Sequence, residues 1–192
     1  NSRQERKKRR SRIRIITYGV LILAIAGLTL YIVNRRNDRI RYALPEVSTP
    51  AAEEIDVIRI DPPESETIEL ERYEDGWLIQ PQQYRAGSSS VQQLVNAIAG
   101  LEITELVSTA EYYSRYSLDE QSRTTVTAIA DGEEVLRFYV GKRAPTYNHT
   151  YVLLPDDSRV YQVSGNIERT FDKDVDDLKD KNVLSMESSS IT

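Results

Sequence analysis

The chain has 192 residues, with 25 Lys and Arg against 30 Asp and Glu and a formal net charge of −5. The balance is uneven: residues 1–41 hold twelve basic and two acidic residues, net +10, and residues 42–192 hold thirteen and twenty-eight, net −15. A basic arm on an acidic body flags a membrane or nucleic-acid contact, and the absence of cysteine excludes disulfides, thiolate metal sites and cysteine nucleophiles.

Residues 1–14 form a basic tail, with Arg3, Arg6, Lys7, Lys8, Arg9, Arg10, Arg12 and Arg14. No aromatic residue or glycine interleaves them and the rest of the chain is acidic, so nucleic acid is not the expected partner. Anionic lipid headgroups are, at ~1 kcal/mol per charge near the surface.

Residues 15–33, from Ile15 to Val33, carry no charge. As a helix they would rise roughly 28 Å, close to a bilayer core of about 30 Å. Tyr18 and Tyr31 sit near the ends, where amphipathic rings prefer the headgroup level. The run is apolar on every face and charged at both flanks, which predicts a single transmembrane helix rather than a buried core helix. A signal peptide is the nearer rival, because Ala24-Ile25-Ala26 resembles a cleavage site. The apolar run continues past it to Val33, which fits a retained anchor. Eight basic residues precede the span and four follow it (Arg35, Arg36, Arg39, Arg41), placing the N-terminus in the cytoplasm and the body outside. Gly19 and Ala26 share one helical face, and small residues there would let a partner helix approach. Gly and Ala are also common in membrane spans for no such reason.

Residues 34–54, with Pro45 and Pro50, read as a juxtamembrane linker, and residues 55–184 as an extracytoplasmic domain. Within it, 55–60 predicts a strand buried on both faces, and 67–73 alternates cleanly. Glu74-Asp75-Gly76 turns into a strand at Trp77-Leu78-Ile79 that Pro81 ends. Over Val91 to Leu101 the apolar residues fall at helical spacing, with Ser88, Ser89 or Ser90 as N-cap, a capping box in Ser89 with Gln92 or Ser90 with Gln93, and Gly100 as the stop. Trp77 is expected to be largely buried beside Leu94, Val95 and Ile98. A strand follows at 103–107, then a tyrosine-rich loop at 112–116. Asp131-Gly132 joins strands at 124–130 and 134–140, and Pro155 to Ser158 joins strands at 150–154 and 159–163. Short helices are expected at 167–171 and 175–178, and residues 185–192 form a tail or the start of a further repeat. The fold class is α+β: antiparallel hairpins or a meander packed with one main helix, preceded by the single membrane helix.

Chemistry-bearing motifs are scarce. Gly141-Lys142 lacks the upstream glycine and following Ser/Thr of a P-loop, and no G-x-G-x-x-G occurs. His149 is the sole histidine and has no nucleophile elbow to serve. The acidic run from Asp172 to Asp180 fails as a calcium loop, having Asp177 where Gly and Val183 where Glu is required; it reads as a helix start favoured by the dipole. No catalytic residue, metal ligand or cofactor is expected. Tyr112, Tyr113, Tyr116, Tyr147 and Tyr151 have two open readings, an aromatic interface or caps on the core.

The order of Ile55-Asp56-Val57-Ile58-Arg59-Ile60, Leu70-Glu71-Arg72, Asp75-Gly76-Trp77-Leu78-Ile79-Gln80-Pro81, the helix Val91 to Leu101, and Tyr116-Ser117-Leu118-Asp119 resembles one bacterial family. Val135 to Gly141, Tyr151-Val152-Leu153, Val160-Tyr161-Gln162-Val163 and Asp177 to Lys181 continue the likeness over roughly residues 55–184. The family is domain of unknown function 4340, found in envelope proteins encoded with ABC transporters, including the auxiliary component of the gliding-motility type. It usually has Gly where Ser117 stands, and Pro soon after the Asp, where Glu120 and Gln121 stand. The resemblance implies a non-catalytic accessory subunit of an ABC-type transporter, with other membrane subunits and the lipid bilayer as partners. An accessory subunit of a respiratory or photosynthetic complex, or an extracytoplasmic ligand-binding or sensor module, is the alternative.

Overall fold

The structure is a computed structural model that describes residues 18–19, 21–29, 44–74, 76–146 and 148–181. The chain divides into two units, residues 1–43 and 44–192. In the first, residues 18–19 and 21–29 are helical and exposed. The rest of the 15–33 span, the basic tail 1–14 and the linker residues 34–43 lie outside the described residues, as do Tyr147 and residues 182–192 with the terminal tail. Among the described residues no helix is long and apolar enough to cross a membrane.

The second unit is built on one antiparallel sheet. Its strands are β1 (Val57–Asp61), β2 (Ile68–Tyr73), β3 (Gly76–Gln80), β4 (Tyr84–Arg85), β5 (Ile103–Ser108), β6 (Thr124–Ala130), β7 (Glu133–Arg143), β8 (His149–Leu153) and β9 (Val160–Ser164). They lie in the order β4-β3-β2-β1-β6-β7-β8-β9-β5. Among the described residues three helices complete it: α1 (Ser88–Ala99), α2 (Ile167–Phe171) and α3 (Val175–Leu178). The expected hairpins are present. Asp131 and Gly132 both take positive φ, 52° and 79°, as a two-residue turn matching the strand twist demands.

Strand alternation builds the main core on one face. Ile58 and Ile60 point inward while Val57 and Arg59 are half-buried, so β1 is buried on one face, not both. Arg59 instead pairs across the strands with Glu69, at 2.9 and 2.7 Å. Ile68, Leu70, Ile79, Val126, Phe138, Val152 and Tyr161 continue the inward face from strand to strand. The helix contributes Val91, Leu94, Val95 and Ile98, as its spacing predicts. Phe171 of α2 is fully buried, its ring edge-on to Phe138 at 5.7 Å. Each such side chain contributes on the order of 1.5–3 kcal/mol by leaving water.

Three local expectations are corrected. The N-cap of α1 is Gly87, not a serine, and no side chain caps it. The backbone of the α3 region fixes this start: Gly87 N donates to Leu178 O at 2.7 Å, and Ala86 bridges Lys179. Trp77 is half-buried rather than enclosed. It lies on the inward face two residues before Ile79, where the hairpin end leaves a cavity of about 410 Å³ lined in part by Ala52, Val91 and Val95. Arg72 covers its ring at 4.7 Å and donates to the carbonyls of Ile55 and Ala52. Residues 44–54, the described part of the expected linker, therefore lie on the body, with Val47 and Ala52 against its core.

Candidate functional site

The opposite face of the β7–β8–β9 half carries a second, smaller core. Along β8, Val152 points to the main core while Tyr151 and Leu153 point the other way. They join Leu118, Ala144 and Val160, with Val107, Tyr113, Tyr116 and Tyr139 packed around them. The lid over this cluster is a 3₁₀ turn, Tyr113–Tyr116, closed by Ser117 in the left-handed region at φ 55°. A glycine is at ease there, which gives a physical reason for the glycine usual in the resembling family.

Several contacts hold the turn in place. Tyr113 donates its hydroxyl to Ser158 O at 3.1 Å, and Leu118 N donates to Tyr113 O at 3.0 Å. Tyr116 and Tyr151 meet edge-to-face at 4.9 Å. Arg123 lies 3.8 Å over the Tyr139 ring. Gly141 sits so close beneath the turn that a Cβ there would overlap Tyr116 O and stand 2.8 Å from Leu118 Cγ.

The expected interface residues therefore have separate fates. Tyr113, Tyr116 and Tyr151 come together in the second core, with Tyr151 9% exposed. Tyr112 stands 73% exposed beside them. Tyr147 lies outside the described residues. Gly19 and Ala26 belong to the first unit, both exposed.

Beside the tyrosine pair lies a cavity of about 440 Å³, lined by Arg115, Tyr116, Lys142, Arg143, Ala144, Pro145 and Tyr151. Among the described residues three cations and no acid line it, in a body of net charge −15. Arg115 and Lys142 make no ion pair among the described residues. Lys142 also lines a neighbouring cavity of about 320 Å³, together with Glu64, Glu168 and Asp172. Glu168 accepts the backbone N–H of Arg143 at 3.1 Å. Sequence reasoning missed all three cations. The signal available was Arg115 between tyrosines and Gly141-Lys142-Arg143 ending a strand of an acidic domain.

An ionised cluster lies at the start of β9. Asp157 accepts from Arg159 Nε at 2.9 Å and Nη2 at 2.7 Å, and from the Tyr161 hydroxyl at 2.7 Å. The Arg159 guanidinium holds the Asp157 carboxyl well below its ordinary value of 3.8. Burial, then the bond to Asp157, pushes the Tyr161 phenol from 10.0 up to about 12. The lowered carboxyl contributes stability that is complete above its unfolded value and lost as pH falls below it. The raised phenol contributes stability that is complete below pH 10 and lost as pH rises toward 12. Urea midpoints should thus fall at both ends of the pH scale, and Asp157→Asn should flatten the acid limb; an unchanged acid limb would show the cluster to be immaterial.

The remaining motifs take structural parts. His149 opens β8, with Nδ1 3.3 Å from Thr146 Oγ1. Thr150, fully buried, accepts from Ile167 N at 3.1 Å and donates to Gly165 O at 3.0 Å, fixing the start of α2. In the acidic run, Asp174 caps α3 by accepting from Asp177 N at 2.7 Å.

An antiparallel sheet with helices against one face defines this body as an α+β domain, and its second face carries a basic, tyrosine-walled cavity. The chain belongs to the DUF4340 family, a domain of unknown function, whose model matches residues 77–192. The resembling segments between residues 55 and 76 precede that match. No curated protein matches the chain, and no solved structure does.

Proposed function

We propose that the protein is a non-catalytic, single-span accessory subunit of a larger membrane complex, associated with an ABC-type transporter. Its N-terminus lies in the cytoplasm and its acidic α+β body outside, with the 1–14 tail on anionic headgroups. The observation that carries this reading is the exposed apolar helix. Leu21, Ile22, Leu23, Ile25 and Leu28 are each more than half exposed, between 56% and 73%. The Thr29 hydroxyl in this helix is satisfied internally, Thr29 Oγ1 donating to Ile25 O at 2.8 Å, as a lipid environment requires. The link to a transporter rests on the family resemblance.

The helix serves as a docking element as well as an anchor, through the small residues Gly19 and Ala26. A Cβ at Gly19 meets nothing within 4 Å among the described residues, so enlarging it disturbs no contact there. Purification from native membranes in mild detergent should recover an ATPase with the full chain. The Gly19→Leu/Ala26→Leu variant should insert normally and lose that partner. Recovery of redox subunits instead would move the protein to a respiratory or photosynthetic complex. Equal recovery with the double variant would leave the helix as an anchor only.

A further inference from the structure

We propose that the cavity between the 113–116 turn and the end of β7 binds a phosphate-bearing ligand. Arg115, Lys142 and Arg143 supply the charge, and the Tyr116 and Tyr151 rings hold the group that carries the phosphate. This goes beyond the accessory-subunit reading and stands whether or not the chain docks on a transporter.

The charge argument comes first. Thirteen basic residues serve the whole of 42–192 against twenty-eight acidic ones, yet three of the thirteen line one cavity that no acid lines among the described residues, the carboxylates near Lys142 lining a separate one. Like charges gathered on a concave surface repel one another, and a bound anion turns that cost into attraction. Arg115 and Lys142 have no carboxylate partner among the described residues to do this.

Shape narrows the class. The volume of about 440 Å³ suits a small molecule, within the usual range of roughly 300–1,000 Å³. Arg115 and Lys142 together match a dianion better than a monoanion, and a guanidinium fork fits phosphate oxygens in pairs. The walls are aromatic on one side, giving apolar area to a glycerol or sugar moiety. The parts are also held before binding: Gly141 lets the turn close onto β7, and Tyr116 is locked against Tyr151 at 4.9 Å. Such preorganisation lowers the ordering cost of binding.

The phosphate has two possible sources, a free phosphate ester or a lipid headgroup. The full chain in non-ionic detergent micelles would be titrated with glycerol 3-phosphate, and separately with micelles doped with phosphatidic acid or phosphatidylcholine. The comparison protein is Arg115→Gln/Lys142→Gln, both exposed positions, with an unchanged melting midpoint confirming its fold. The tail is identical in both proteins, so its own attraction for phosphatidic acid cancels. The expected result is affinity at least about tenfold weaker in the variant, since both charge-assisted contacts to the phosphate are lost. Loss against glycerol 3-phosphate assigns a free ester; loss only against phosphatidic acid micelles assigns a headgroup. Equal behaviour of the two proteins toward both probes, or no binding of either probe by the wild type, overturns the proposal.

Discussion

Replacing Phe138 with alanine is expected to destabilise the body by about 3–5 kcal/mol, the usual range for a fully buried aromatic. Phe138 has no exposed surface and lies on β7, between β6 and β8 near the middle of the sheet. The hole cannot collapse easily. The flanking strands are tied by antiparallel ladders on both sides, and α2 is pinned from below by Thr150. Phe171 would lose its edge-to-face partner, worth roughly 0.5–1.5 kcal/mol beyond area. Phe138→Ala and Phe171→Ala should therefore be less than additive when combined. Urea unfolding of the four proteins checks this; a loss under about 1 kcal/mol for Phe138→Ala is surface-like and would place the ring outside the core.

Gly141→Ala is expected to cost about 1–3 kcal/mol or more, from overpacking rather than from a cavity. The added methyl would overlap a backbone carbonyl, that of Tyr116, and Leu118 Cγ at 2.8 Å. A carbonyl cannot rotate away as a flexible side chain does, so the 113–118 turn must lift. That movement would separate Tyr116 from Tyr151 and widen the basic cavity. Near-ultraviolet circular dichroism should record the loss of tyrosine packing while the far-ultraviolet signal keeps its strand content. An alanine variant with wild-type stability and tyrosine signal would show that the turn does not rest on β7.

Local pattern carried much of the architecture into view. Alternation in 68–73, the Asp131-Gly132 turn and the spacing of Val91, Leu94, Val95 and Ile98 each encode a neighbour within a few residues. Partners further away are not encoded in this manner. Residues 103–108 read as a strand, yet nothing local says that Ile103 pairs with Val163 at the far end of the sheet. The N-cap escaped for the same reason: three serines are candidate caps, two of them with a capping-box glutamine, and a distant carbonyl, Leu178 O, decides the start at Gly87. Trp77 has the residue type of a core anchor but stands at a hairpin end. The tyrosines were visible as a cluster, and their two readings differ only in which side of the sheet the turn covers. The cations of the cavity come from two segments 27 and 28 positions apart, Arg115 and the Lys142-Arg143 pair, so only folding brings them together.

Protease added to intact spheroplasts of a bacterial host carrying the full chain tests the central claim, a membrane-anchored body outside the cytoplasm, most directly. The account predicts that the body from residue 44 onward is degraded while an N-terminal fragment with the 1–14 tail stays with the membrane, because the basic bias of eight against four keeps that tail inside. A body that survives in intact spheroplasts and is cut only after lysis would contradict it.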